Sequence, residues 1–100
     1  MSERAAAPGP GWPPPHELST CVARRRASPA GVVVCVAATA SSAPCFRVVL
    51  EDGTGRLTLA FLGRRDVPGI VPGARLQVEG MVASDRGEAV MTNPRYRFLS

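Results

Sequence analysis

Between Cys45 and Leu62 the chain alternates from residue to residue on either side of the run Asp52-Gly53-Thr54-Gly55. A period of two belongs to a strand with one dry and one wet face, and a slip of one residue would exchange the two. With the turn centred on the Gly53–Thr54 peptide, Leu50 faces Leu57, Val48 faces Leu59 and Phe46 faces Phe61. The opposite face receives Glu51 against Arg56, Val49 against Thr58 and Arg47 against Ala60. Asp-Gly between such runs is a strong local signal for a hairpin. The stretch predicts an antiparallel pair in one register, and the rest of the chain has to fold around it.

The neighbouring segments read as further short strands. Gly31 to Val36 is a β-branched run with no helical period. Ala37 to Pro44 is a loop of small residues, and Gly63 to Gly73 holds too many Gly and Pro for more than one helical turn. Ala74 to Val82 is a fourth strand, with Leu76, Val78 and Val82 inward and Arg75, Gln77 and Glu79 outward. Gly80 falls on the inward series, where a missing side chain permits a sharp bend or a close neighbour. After the turn at Asp85-Arg86-Gly87, Glu88 to Thr92 begins a fifth strand, Asn93-Pro94 interrupts it, and Tyr96 to Leu99 closes the domain. Five short strands at this spacing predict an all-β fold, a closed or nearly closed barrel; an open sheet this small would leave an apolar face in water.

Residues 1–18 read as a disordered arm rich in Pro, Ala and Gly, with residues 19–100 forming the single domain. Trp12 is the exception in a segment with little to bury and reads either as incidental or as a hook for a partner protein. Glu17 to Arg25 has the pattern of a turn or two of helix entered at Ser19 or Thr20. Arg24-Arg25-Arg26, Val32 to Ala40 and Ser41-Ser42-Ala43 imitate the three regions of a secretory signal. The imitation starts more than twenty residues from Met1, and cleavage there would remove the first strand. The expected location is therefore the cytoplasm. No apolar run approaches the length of a membrane span.

Composition excludes more than it selects. The net charge of +4, carried on the basic side by arginine alone, permits contact with phosphates without requiring it. Cys21, Cys35 and Cys45 form no CxxC pair, and the single histidine, His16, lies among prolines, so neither a metal site nor a cofactor is expected. No Gly-rich run precedes a helix, and the acidic residues are scattered singly over turns and outward positions. Asp52 begins a turn, where an aspartate bonds its own backbone. The chain is expected not to be an enzyme.

Arginine placement gives the positive signal. Arg47, Arg56 and Arg75 point away from the core series, and Arg64 and Arg65 sit on the adjoining loop. Interrupted by Val49, Thr58, Ala60 and Leu62, they outline a basic surface with apolar platforms, as in grooves that track single-stranded nucleic acid. Such arginines are equally at home as solvated surface, and Glu51 and Glu79 stand near two of them. Phe46 and Phe61 belong to the core series, which leaves Tyr96 and Phe98 as the only spare rings.

Three segments, Val48 to Phe61, Val71 to Gly80 and Asn93 to Tyr96, resemble the nucleic-acid-binding OB domain in the wedge of RecG-type helicases. They are more similar still to short stand-alone OB-fold proteins of actinobacteria, with Leu62-Gly-Arg-Arg65, Pro68-Gly-Ile70 and Asn93-Pro-Arg-Tyr96 in the same order. The resemblance covers roughly residues 30 to 99. It implies a five-stranded Greek-key OB barrel whose ligand face surrounds the second and third strands, with Arg47, Arg56, Thr58, Leu62, Arg64 and Arg65 on it. Helicase wedges carry two adjacent aromatics where this chain has Phe61-Leu62, so fork-type stacking is weakened and the helicase motor is missing. The resulting expectation is non-catalytic, weak and salt-sensitive binding of single-stranded or branched DNA or RNA by Arg47, Arg56, Thr58, Leu62, Arg64, Arg65 and Arg75. The alternative is an OB module that docks on a protein through its arm or a barrel edge.

Overall fold

The computed structural model describes residues 11–39 and 42–99. Seven strands follow a single 3-10 turn at Leu18–Thr20: β1 (Arg26–Ala27), β2 (Ala30–Ala38), β3 (Cys45–Glu51), β4 (Arg56–Leu62), β5 (Arg75–Asp85), β6 (Glu88–Thr92) and β7 (Arg95–Leu99). Five of them close a ring in the order β2-β3-β4-β6-β5 and back to β2. Every contact in the ring is antiparallel except β4 with β6, which is parallel because β5 intervenes in the chain.

The β3–β4 pairing has the expected register residue for residue, from Cys45 opposite Leu62 to Glu51 opposite Arg56. Phe46, Val48, Leu50, Leu57, Leu59 and Phe61 are all buried and join Val33, Leu76, Val78, Val82 and Met91 in one interior cluster. The Gly63–Gly73 segment is a loop, as expected, and it also closes one end of the ring: Val67 and Ile70 are fully buried in the same cluster. Gly80 is the expected close approach, since a Cβ there would lie 2.9 Å from Met91 Cγ.

The fifth strand is broken where the sequence predicts. β6 and β7 run along the same edge of β5, Val82 opposite Met91 and Val78 opposite Tyr96, and the register slips by one between them. Asn93 makes the break at φ +48°, a conformation Asn tolerates better than most residues. Its N–H donates to the Ala60 carbonyl at 2.7 Å, and the Leu62 N–H donates to its side-chain oxygen at 2.8 Å. The amide side chain thus supplies the acceptor that continues the parallel seam after the backbone has turned away.

Two expectations are corrected. Gln77 points away from the ring as predicted, yet it is completely buried. Its Nε2 donates to the carbonyls of Ser28 and Pro13, and its Oε1 accepts from Arg97 Nε. What buries it is the second correction. Residues 11–18, expected within a disordered arm, lie along the outer side of β5 and β7, while residues 1–10 of that arm lie outside the described residues. Prolines cannot donate to a ladder, but their carbonyls still accept. Trp12 stacks on Arg95, whose Cζ is 4.2 Å from the ring centroid, with Arg97 at 5.4 Å. Arg95 is also held by Glu79 and by the Gly11 carbonyl. The Ser28 N–H donates to His16 Nε2 at 2.9 Å, and Leu18 is buried in the interior. The helix weighed for Glu17 to Arg25 is the single 3-10 turn.

Asp52 fastens that turn to the hairpin tip. One carboxylate oxygen accepts the Leu18 N–H at 2.9 Å, and the other accepts the N–H groups of Thr54 and Gly55 and the Thr54 hydroxyl. The Leu18 N–H first, then the Thr54 and Gly55 donors, lower the Asp52 pKa to about 2. A carboxylate more acidic when folded than the roughly 3.9 of an unfolded chain stabilises the fold above that value and loses the contribution as pH falls through its folded pKa. Relative to Asp52→Asn, the wild-type chain should therefore show a constant advantage in urea midpoint near neutral pH. That advantage should shrink between about pH 4 and about pH 2. An advantage that stayed level through this window would remove Asp52 as the fastening group.

Candidate functional site

The pairings arrange the outer face of β2, β3, β4 and β6 in transverse rows. Val32, Glu51 and Arg56 form one row, extended on the far side of β2 by Arg75 of β5. Cys35, Val49, Thr58 and Val90 form the next; then come Ala37, Arg47, Ala60 and Thr92. Cys45 and Leu62 close the series. The rows explain why the expected residues do not form one patch.

Arg47, Leu62, Arg64 and Arg65 gather at one end. Arg47 has alanine on either side in its row and is exposed. Leu62, at the end of β4, leaves 55 % of its surface in water. The Gly63 N–H donates to the Pro44 carbonyl at 2.8 Å, which holds the start of the Arg64-Arg65 loop beside the β2–β3 connection. Arg64 and Arg65 are exposed. No acidic side chain among the described residues pairs with Arg47, Arg64 or Arg65.

The other three expected residues stand apart from this group. Arg56, at the opposite end of β4, is ion-paired with Glu51 across the hairpin. It also lines a shallow cleft of about 210 Å³ with Thr58, Gly87, Glu88 and Ala89. Thr58 is only 7 % exposed, set between Val49 and Val90 in its row, so the side chain expected to meet a ligand is covered. Alternation predicts that a side chain points outward; it does not report how closely the neighbouring strands flank it. Arg75 opens from the start of β5 into a separate cleft of about 250 Å³ with Val32, Glu51, Asp52 and Leu99.

Four rings run in sequence from the interior outward: Phe46 to Phe61 at 6.5 Å between centroids, Phe61 to Tyr96 at 5.7 Å, and Tyr96 to Phe98 at 5.9 Å. Tyr96 is packed on the core. Phe98 is 49 % exposed and lies so close to Gly69, in the loop that carries Arg64 and Arg65, that a Cβ on Gly69 would be 2.8 Å from it. Of the two spare rings, Phe98 is the one a ligand near that loop can reach.

Sequence reasoning gave no part to Arg95 and Arg97, the arginines most engaged by the fold itself. Their alternation along β7 was a signal for an outward face, but nothing local marked Trp12 as the group that covers it. Hydrogen bonds from Arg95 hold the Glu79 carboxyl below the usual carboxylate range. Cys21, Cys35 and Cys45 are free thiols, and burial, with the Asp52 charge adding, pushes the Cys21 thiol up. Among the described residues no group of three His, Cys, Asp or Glu side chains is arranged to hold a metal ion, and no helix is long and apolar enough to cross a membrane. Neither a scan against protein-family models nor a search of curated proteins returned a match for this chain.

Proposed function

We propose that the ring is an OB barrel and that it binds single-stranded or branched nucleic acid, without catalysis, through the end that carries Arg47, Leu62, Arg64 and Arg65. Numbered by the ring alone, its strands neighbour one another in the order 1-2-3-5-4-1, with the third and fifth parallel. OB folds use the face of the second and third strands, and the loops flanking it, for oligonucleotides. Here that face is β3 and β4, flanked by Pro44 just before β3 and by the turn at Arg86 and Gly87. The observation that carries the reading is the set of three guanidinium groups without acidic partners among the described residues, around an exposed leucine, with Phe98 beside the same loop. Arginines in water attract phosphates, and apolar surface between them suits bases. With Arg56 engaged by Glu51 and Thr58 covered, the contact is small and the binding weak. Three free thiols are consistent with a reducing, cytoplasmic setting. The alternative, docking through the arm, loses part of its support because Trp12 is held within the fold.

Fluorescence anisotropy with labelled single-stranded DNA and RNA tests the proposal. Affinity should fall by roughly 0.7 logarithmic units per logarithmic unit of salt for each phosphate contacted. The double variant Arg64→Ala, Arg65→Ala should lower that slope by about 1.4, two contacts' worth. An unchanged slope rejects these two residues, and no binding at low salt rejects the function.

A further inference from the structure

The structure assigns a second interaction surface to the free edge of β2, and we propose that it pairs with the same edge of a second copy of this chain. β2 touches β5 only from Ala30 to Val32, and the last bonds to that side are made by Val33, with Gly73 and Ala74. From Cys35 to Ala38 the strand is paired with β3 alone among the described residues. The Thr39 N–H donates to the Cys45 carbonyl. Antiparallel pairs alternate between residues that bond their partner and residues that turn away from it. Counting back from Thr39, Ala37 and Cys35 bond toward β3, so the N–H and C=O groups of Val36 and Ala38 point to the open side.

An open edge is a template for another strand, and monomeric proteins blunt such edges with charge, proline or a covering loop. This molecule does so elsewhere. β1 carries Arg26 and follows Arg24 and Arg25, β7 carries Arg95 and Arg97, and the far end of β5 carries Asp85 beside Arg86. Among the described residues the β2 edge has none of these devices. From Ala27 to Phe46 the chain holds no charged residue at all, and Val34, Cys35, Ala37 and Ala38 are exposed. That absence selects the occupant. A two-fold contact sets each residue against itself or a near neighbour, where a single charge would meet its own copy, so a charge-free edge favours self-pairing. It offers nothing to a charged partner strand.

Any antiparallel register that uses Val36 and Ala38 brings Ala37 of one copy within two residues of Ala37 of the other. Two variants of the full chain, Ala37→Glu and Ala37→Lys, therefore test the edge. Ala37 is exposed, so either side chain fits, at a small cost where the lysine meets Arg47 across the pair, and circular dichroism checks that the fold is kept. Sedimentation of the wild-type chain without nucleic acid, from low micromolar to near-millimolar concentration, should show a mass rising toward twice the monomer's. Each variant alone should stay monomeric, and an equal mixture of the two should recover the dimer through Glu–Lys pairing. A wild-type chain monomeric throughout, a dimer that persists in both variants, or a mixture that stays monomeric would each overturn the proposal. Because no oligonucleotide is present, this result is independent of the anisotropy experiment.

Discussion

Truncating Leu59 to alanine is expected to destabilise the fold by about 2–5 kcal/mol, while the same truncation at Leu62 should change it by no more than about 0.5 kcal/mol. The two leucines share a strand and differ only in the side to which alternation sends them. Leu59 is completely buried, opposite Val48, at the middle of the interior cluster. Removing three carbons there leaves a void that neighbours held in strand geometry cannot refill. Leu62 stands mostly in water, and its strand contact is the backbone N–H donated to Asn93, which alanine retains. A domain of this size has roughly 5–15 kcal/mol of stability in total, so the Leu59 variant gives up a large part of it. Urea unfolding of both variants, with slopes matching the wild type, measures the contrast. Equal costs would mean that the alternation from Cys45 to Leu62 does not set the interior.

The second large effect is expected at Gly31. It lies in β2 opposite Leu76, where the strand passes close against β3. A Cβ at this position would stand 2.9 Å from the Glu51 carbonyl oxygen and 3.2 Å from a terminal carbon of Leu18. The first neighbour is backbone in the strand that leads into the hairpin turn, so it cannot swing aside. Gly31→Val should therefore cost about 3 kcal/mol, at the upper end of what overpacking a core usually costs. The same kind of crowding at Gly80 involves the flexible side chain of Met91 and should be cheaper. If Gly31→Val unfolded at the wild-type urea concentration, β2 and β3 would have to be farther apart than described.

The hairpin, the inward series of β5 and the break at Asn93-Pro94 were legible in the sequence because each is written in adjacent residues. A period of two, an Asp-Gly turn and a residue without an N–H all act over a few positions. Thr58 and Gln77 show the limit of that information. Both were correctly assigned to the outward side, and both are buried by strands or segments distant in sequence. Thr58 is flanked by Val90 of the parallel strand, and Gln77 is covered by Pro13 and Ser28. No local pattern could report those neighbours. Residues 11–18 hold little to bury and so predict disorder; Leu18 nevertheless enters the interior, and the residues before it are fixed by carbonyls, one ring and an imidazole, groups that hydropathy does not weigh. The arginines were found as a set, yet which of them stand without a carboxylate depended on Glu51 and Glu79 selecting Arg56 and Arg95 as partners.

Trp12 is the chain's only tryptophan, and it sits outside the ring on the guanidinium groups of Arg95 and Arg97. The indole emission of this protein consequently reports whether its first segment is seated, whereas far-ultraviolet dichroism reports the strands. Coincidence of the two signals during denaturation would show that segment and ring melt as one cooperative unit. An earlier change in emission would show that the segment can lift while the ring persists, exposing β7 without unfolding the protein.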